Sequence, residues 1–464
     1  MKSIKINEIL RWLEKEAEIK TAPDGEIRDV VIDSRKVTKD SLFVALPGER
    51  VDGHDYIPQA FAAGARMVFS QDPEKTKDIQ VSENAMLVQV ENCTRALGVI
   101  ARKYRDLYHG RVAAITGSVG KTSTKDLTAA VLSGKFRTMK TIGNYNNELG
   151  LPLTLFRMDD DQYDAAVIEM GMGYKGDIDY LSWLTQPEVG IVTNVGTSHI
   201  ENLGSREAIL HAKLELVPHL AGEKKLFLNG DDPLLYGMKD KLPVRPEYFG
   251  RDNHNDCRLL EVSRTEKGKL FVHASYQTID YLVEIDTLGL HMAMNVLPAI
   301  MTGVFYGMSP AEIREGLTHY EATPHRLESI QTDRYLIIDD TYNASPSSMN
   351  SAVDTLMDIP VKGRRIAILG DILEMGSFAA EGHREVGLHT GKSGVDLLLA
   401  CGKESRAIYE AAIEAGMDPA QCFYYEDLEK LCEAVGGVVL EGDTILLKAS
   451  HSMEFSRLID VLAK

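Results

Sequence analysis

The segment Ile115-Thr116-Gly117-Ser118-Val119-Gly120-Lys121-Thr122 constrains the fold more than any other stretch of the chain. It follows Arg111-Val112-Ala113-Ala114-Ile115, a short apolar run that reads as a buried strand, and precedes Ser123-Thr124-Lys125-Asp126-Leu127, which opens a helical pattern. Gly117 and Gly120 let backbone N–H groups turn inward around a phosphate. Lys121 supplies a point charge to that phosphate, and the Thr122 hydroxyl can hold Mg²⁺. The loop is shorter than a standard Walker A motif, which has glycine where Ile115 stands. Gly117, Ser118, Val119, Gly120, Lys121 and Thr122 are therefore expected to bind ATP.

The strand–turn–helix alternation continues downstream. Ala165–Ile168, Val189–Val192 and Lys225–Leu228 are strand candidates separated by helical stretches, the signature of a parallel sheet with crossover helices. Residues 257–290 alternate apolar and polar and are expected to form an antiparallel edge, followed by a helix over 292–305. Thr323-Pro324-His325 reads as a hinge. Beyond it Leu336–Ile338, Arg365–Leu369, Leu397–Ala400 and Thr444–Leu447 repeat the alternation. Ahead of the phosphate loop stand a helical stretch from Ile6 to Ala17, strands Val30–Ile32 and Leu42–Leu46, and a helix over Ile57–Ala65. The expected division is 1–109, 110–322 and 323–464: a smaller N-terminal α/β unit, a central parallel sheet with helices on both faces, and a Rossmann-like α/β unit. A chain of 464 residues is long enough for several such cores.

Composition narrows the partners. A formal charge of −18 argues against nucleic acid or an anionic membrane surface, but not against a phosphorylated substrate met by local basic groups. The five cysteines are scattered and include no Cys-x-x-Cys pair, so neither a disulfide framework nor a zinc site is indicated. The N-terminus is charged from Lys2 onward and no apolar run approaches spanning length. A cytoplasmic enzyme without membrane insertion is expected.

A phosphate loop alone fits a kinase, a GTPase, a transporter subunit or a ligase. The chain has no Asn-Lys-x-Asp guanine-reading motif and no Leu-Ser-Gly-Gly-Gln segment, which weakens two of these classes. Glu169 ends the strand Ala165–Ile168, at the sheet edge that carries the phosphate loop, where it could ligate Mg²⁺. Taken alone it is equally a solvated strand-end carboxylate. His199 also follows a strand, and Lys213 sits in a helical stretch. Singly, a loop histidine and a helical lysine are ordinary surface residues; with the phosphate loop they form a pattern.

At these residues the chain resembles the Mur ligases, ATP-dependent amino-acid and peptide ligases of bacterial cell-wall precursor synthesis. The resemblance runs nearly end to end. It implies that Thr116–Thr122 is the family's own shortened phosphate loop, that Glu169 and His199 belong to the metal site, and that Lys213 is the family's carbamylated lysine. Lys121, His199 and Lys213 are thereby the catalytic set, and Thr122, Glu169, His199 and Lys213 the metal set, for two Mg²⁺ ions. Asn295 matches an asparagine near the adenine, and Arg326 and Asp340 match residues that close over the nucleotide. The strings Gly143–Pro152, Asp340-Thr341-Tyr342-Asn343-Ala344-Ser345-Pro346 and Leu369-Gly370-Asp371-Ile372-Leu373-Glu374-Met375-Gly376 resemble the member that adds D-alanyl-D-alanine to UDP-N-acetylmuramoyl-tripeptide. Asp33-Ser34-Arg35 and the string Leu42 to Arg50 resemble its uridine-nucleotide pocket, so Ser34, Arg35, Asn146 and Asn147 are expected to bind the UDP-substrate. The N-terminal unit is expected to hold that substrate, the central unit ATP, and the C-terminal unit to close over ATP and bind the dipeptide, in a monomer.

Two departures stand out: Met292 replaces the usual asparagine after His291, and Lys448-Ala449-Ser450-His451 replaces a Lys-Gly-Ser-Arg run. Histidine lacks arginine's fixed bidentate fork. Alternative readings are a sibling ligase adding a single amino acid, a folylpolyglutamate synthetase-like ligase, and a non-catalytic ATP-dependent scaffold.

Overall fold

The structure, a computed structural model, describes residues 1–13, 23–48 and 51–463. Its centre is a nine-stranded sheet. In spatial order the strands are Ile279–Ile285, Leu270–Tyr276, Cys257–Arg264, Glu247–Gly250, Lys225–Asn229, Val189–Val192, Arg111–Thr116, Ala165–Glu169 and Thr138–Lys140. The three strands between Cys257 and Ile285 pair antiparallel, as the alternating pattern predicts, and every other pairing is parallel. After Arg111–Thr116 the chain builds first to one side and then, from Val189, to the other. The crevice beside Arg111–Thr116 is thus a topological switch point, where α/β sheets bind ligands.

The central strand is buried on both faces. Val112 and Ala114 join one apolar cluster, Ala113 and Ile115 another. The first cluster continues into the N-terminal segment through Leu97, Ile100 and Tyr104 of helix Cys93–Arg105. The second receives Leu127 and Val131 of helix Lys121–Ser133, which leaves the phosphate loop. The N-terminal segment has a four-stranded parallel sheet, Asp29–Val31, Ser41–Val44, Met67–Ser70 and Met86–Gln89.

Beyond the linker lies a six-stranded sheet ordered Glu328–Gln331, Leu336–Asp339, Thr444–Lys448, Arg365–Gly370, Leu397–Cys401 and Cys422–Tyr425. Only its first pairing is antiparallel. The carboxyl ends of its inner strands deliver Asp340, Asp371 and Lys448.

The expected helix Ile57–Ala65 ends earlier, at Ala62, because Gly64 turns the chain at φ +105° into the strand that follows. The expected helix from Ile6 is present over Ile6–Trp12; its continuation to Ala17, and Glu49 and Arg50 of the uridine-pocket string, lie outside the described residues.

Candidate active site

The phosphate loop is held open by its neighbours. Gly117 and Gly120 adopt φ of +152° and +81°, and a Cβ on either would lie 1.8 Å from Thr193 Oγ1 or 2.9 Å from Asn295 Oδ1. Both positions therefore need glycine. Asn194, which follows the adjacent strand, braces the loop: its Oδ1 accepts from Val119 N at 2.9 Å and its Nδ2 donates to Val119 O at 3.0 Å. The Ser118 hydroxyl accepts from Gly196 N at 2.9 Å. Lys121 Nζ folds onto its own loop, donating to Gly117 O at 2.7 Å and Ser118 O at 3.2 Å. Burial lowers the pKa of Lys121, against the opposing pull of Glu169.

Arg326 reaches this loop from the linker. Its Nη2 donates to Thr122 Oγ1 at 3.0 Å, and its guanidinium lies over the Tyr342 ring, 4.1 Å from the centroid. The backbone on either side of it is fixed in left-handed geometry, φ +64° at His325 and +50° at Leu327. His325 is tied there, Nδ1 to Asp339 Oδ2 at 2.6 Å and its N–H donating to Glu328 Oε2 at 3.0 Å. Asp340 Oδ2 accepts from the buried Lys448 Nζ at 2.6 Å. Asn295 Nδ2 donates to Met292 Sδ at 3.5 Å, so the departing methionine serves as a weak acceptor under the cavity.

Glu169 is buried at its strand end. Its Oε1 accepts from Asn146 Nδ2 at 2.8 Å, while Oε2 has no hydrogen-bond partner; Lys125 Nζ stands 3.8 Å away. A buried carboxylate oxygen without a donor, facing a cavity shared with Lys121, suits a hard cation. His199, at φ +62°, places Nδ1 3.0 Å from Glu374 Oε2 of the C-terminal sheet's loop. Burial lowers the His199 pKa, and the charges of Lys121 and Lys213 lower it further against Glu374. Lys213 is not the solvated helix residue its pattern suggests: it is 1% exposed. Among the described residues its ammonium has no hydrogen-bond or ion-pair partner, and burial with the nearby Lys121 charge drives its pKa well below the usual lysine value.

Three cavities meet here. One of about 450 Å³ lies between the phosphate loop, Asn295, Arg326, Asp340 and Lys448. A second, about 1040 Å³, lies over Glu169, Asn146, His199 and Tyr342. A third, about 250 Å³, runs from His199 into the C-terminal unit past Ser345, Leu373, Glu374 and Ser450. Lys121 and Asn343 line all three.

The structure thus gathers the phosphate loop, Glu169, His199, Asn146, Asn147, Asn295, Arg326 and Asp340 around one junction, with Lys213 buried behind it. Ser34 and Arg35 line none of these cavities. Arg35 is exposed and paired with its neighbour Asp33, Nε to Oδ1 at 2.9 Å and Nη2 to Oδ2 at 2.8 Å, which lowers the Asp33 pKa to about 2. Asn147 Oδ1 is committed to its own turn, accepting from Leu149 N at 3.3 Å and Gly150 N at 2.9 Å. Sequence reasoning passed over Asn194, Lys125, Asn343, Glu374 and Lys448. Of these, Asn343, Glu374 and Lys448 stand inside strings that the resemblance singled out.

Comparison with known proteins matches three stretches of the chain. Residues 26–105 match the Mur ligase family catalytic domain, 115–303 the Mur ligase middle domain, and 325–451 the Mur ligase glutamate ligase domain. The UDP-N-acetylmuramoyl-tripeptide–D-alanyl-D-alanine ligase of Bacillus subtilis is 37% identical over 434 residues, 93% of this chain and 92% of that protein. The enzyme of the same name from Escherichia coli is 33% identical over 93% of each. A crystal structure of MurF from Acinetobacter baumannii aligns with a TM-score of 0.88 at 25% identity over 100% of both chains. MurF ligase from Thermotoga maritima in complex with ADP aligns with a TM-score of 0.80 at 27% identity, covering 94% of this chain and 97% of that one.

Proposed function

We propose what this chain does from one premise, that it belongs to the Mur ligase family. It is an ATP-dependent, ADP-forming ligase that adds D-alanyl-D-alanine to UDP-N-acetylmuramoyl-tripeptide. The observation that carries this reading is the meeting of three separate cavities at Lys121 and Asn343. A reaction that joins two substrates at the expense of a third needs three binding volumes that open on one point.

The chemistry follows from the groups present. A carboxylate does not condense with an amine, because its oxygen leaves too poorly. Attack of the tripeptide's terminal carboxylate oxygen on the γ-phosphorus of ATP breaks the bond to ADP and gives an acyl phosphate. The dipeptide's ammonium first gives up a proton to solvent; the free amine attacks the acyl carbon and loses a second proton, and phosphate departs with the former carboxylate oxygen. Negative charge accumulates on three sides of the transferring group, so the protein's task is positioning and charge compensation. Lys121 supplies a positive charge from within the phosphate loop. Arg326 adds a second from the C-terminal side, where contact with Thr122 makes its placement depend on domain closure. Closure also excludes water from the activated acyl group.

Thr122 and the buried Glu169 Oε2 would hold one magnesium ion, and His199 with Lys213 a second. When bound, the ions would offset the phosphate charge. We assign a carbamate to Lys213. A buried ammonium facing another cation is disfavoured, and the neutral amine it becomes is the form that adds CO₂. The product is an anion, which suits the metal side of the site.

Residues 1–109 would take the uridine end through Ser34 and Arg35, 110–322 would hold ATP, and 323–464 would close over it and admit the dipeptide. The chain is proposed to act as a monomer. Among the described residues no helix is long and apolar enough to cross a membrane, and work on an ATP-linked soluble nucleotide sugar suits the cytoplasm. The test is phosphate release from ATP with each substrate omitted in turn. Release must require both UDP-tripeptide and dipeptide. Equal release with single D-amino acids in place of the dipeptide would favour the sibling reaction.

A further inference from the structure

The string Leu369–Gly376 has no role in the chemistry above, yet it carries a carboxylate to the junction. Glu374 follows strand Arg365–Gly370 and is 67% exposed, on the lining of both the second and the third cavity. Its backbone is left-handed, φ +60°, a conformation that a non-glycine residue keeps only when its surroundings enforce it. The surroundings are visible. Asp371 Oδ1 accepts from Ser405 N and Ser405 Oγ, each at 2.7 Å. Ile372 N donates to the buried His383 Nε2 at 2.9 Å, and His383 Nδ1 lies 2.7 Å from Ala379 O, so Nδ1 carries the proton. Leu373 N donates to Ser450 Oγ at 2.9 Å. Three consecutive residues are thus anchored to the interior, and the next one projects a carboxylate toward His199.

Among the described residues, Glu374 is the only carboxylate on the lining of the third cavity, whose other charged or titratable members are Lys121, His199 and His451. The remaining lining is mainly hydroxyl and apolar groups. The incoming dipeptide is a zwitterion, and its ammonium must stop beside the junction, since its nitrogen becomes the nucleophile there. We infer that Glu374 is the specificity-determining residue that receives the ammonium of the incoming dipeptide, at the mouth of the third cavity. The carboxylate rests against His199, Oε2 3.0 Å from Nδ1. The ammonium replaces that contact with a charge-assisted hydrogen bond. This inference rests on the proposed ligation and names the group that selects its amine substrate.

The test uses the full-length enzyme with ATP, Mg²⁺ and UDP-tripeptide. D-alanyl-D-alanine is compared with N-(D-lactoyl)-D-alanine, in which a hydroxyl replaces the ammonium, as an inhibitor. The wild type should prefer the ammonium compound by about tenfold to a hundredfold. Glu374→Gln should raise the dipeptide KM by a similar factor, leave the KM of ATP and of UDP-tripeptide within about twofold, and erase the preference over the hydroxyl analogue. Glu374→Asp should keep part of it. If Glu374 only latches the two domains through His199, both compounds weaken together and the preference survives; that result overturns the inference. A wild type that shows no dipeptide-dependent phosphate release overturns the ligation itself, a different outcome from a working enzyme whose Glu374→Gln variant still discriminates.

Discussion

Two lysines at opposite sides of the junction are equally buried and differently equipped. Lys448 ends a strand of the C-terminal sheet, and its ammonium donates to Asp340 Oδ2 at 2.6 Å, Asn343 O at 2.9 Å and Asp340 O at 3.4 Å. Lys213 sits in helix Arg206–Leu214 of the central unit with, among the described residues, no hydrogen-bond or ion-pair partner and Lys121 as its principal charged neighbour. Burial lowers both pKa values, but at Lys448 Asp340 pulls back, whereas at Lys213 the second influence pushes the same way. Burial alone therefore does not define a lysine's role; the sign of what surrounds it does. Lys448 has a carboxylate and two carbonyl oxygens around its ammonium, whereas Lys213 has another cation as its charged neighbour.

The largest effect should separate the two directly. Lys213→Ala should lower kcat by about a thousandfold or more, the scale of losing a group that stabilises the transition state. Added short carboxylates should recover part of that rate, and should not rescue Lys213→Arg, which restores a fixed cation. Lys448→Ala should show no such rescue. An active Lys213→Arg, or a wild type that keeps its full rate after CO₂ depletion, would dissolve the contrast.

A second difference lies in stability. Lys448→Ala leaves Asp340 in a poorly solvated pocket without its partner, and should destabilise the protein by about 3 kcal/mol, read by denaturant unfolding. In CO₂-free buffer Lys213→Met removes a buried amine that has no hydrogen-bond partner among the described residues, and should be neutral or stabilising. Smaller again is the effect at a third cation, the exposed Arg35. Arg35→Ala should leave stability unchanged, raise the KM of the UDP-substrate by about tenfold, and spare that of ATP. An equal rise for ATP would remove Ser34 and Arg35 from the substrate site.

The smallest effect is in pH. Both buried lysines release their proton at lower pH in the folded than in the unfolded chain. Between the lowered folded value and the unfolded one the unfolded state binds more protons, so stability rises with pH across that window. Each lysine contributes at most about 1.4 kcal/mol per pH unit. In CO₂-free buffer Lys213→Met should flatten the rise more than Lys448→Met, because Lys213 is displaced further.

The part of this site that lies within one stretch of chain was legible from residues alone. The phosphate loop needs its glycines and its lysine within six positions, and the strand and helix around it announce themselves by their period. Glu169 and His199 were legible as strand-end residues once a parallel sheet was recognised. What could not be read were contacts across distance. Lys448 meets Asp340 from 108 residues away, and Arg326 reaches Thr122 from 204. Glu374 faces His199 only because two sheets turn their carboxyl edges toward each other. Lys213 was identified through resemblance; its burial, the property that gives it chemistry, follows from packing that no helical periodicity displays. Asn147 lines the second cavity, and its side-chain oxygen also accepts within its own turn, a contact that the string alone does not display. The edge strand Glu328–Gln331 is too exposed and mixed in composition to carry an alternating signal.

The most direct measurement follows the oxygen. If Lys121 and Arg326 steer phosphoryl transfer onto the tripeptide's carboxylate, UDP-tripeptide labelled with ¹⁸O in that group must give inorganic phosphate carrying one ¹⁸O atom per peptide bond formed, with unlabelled ADP. Unlabelled phosphate, or label in AMP, would contradict activation through an acyl phosphate at this junction.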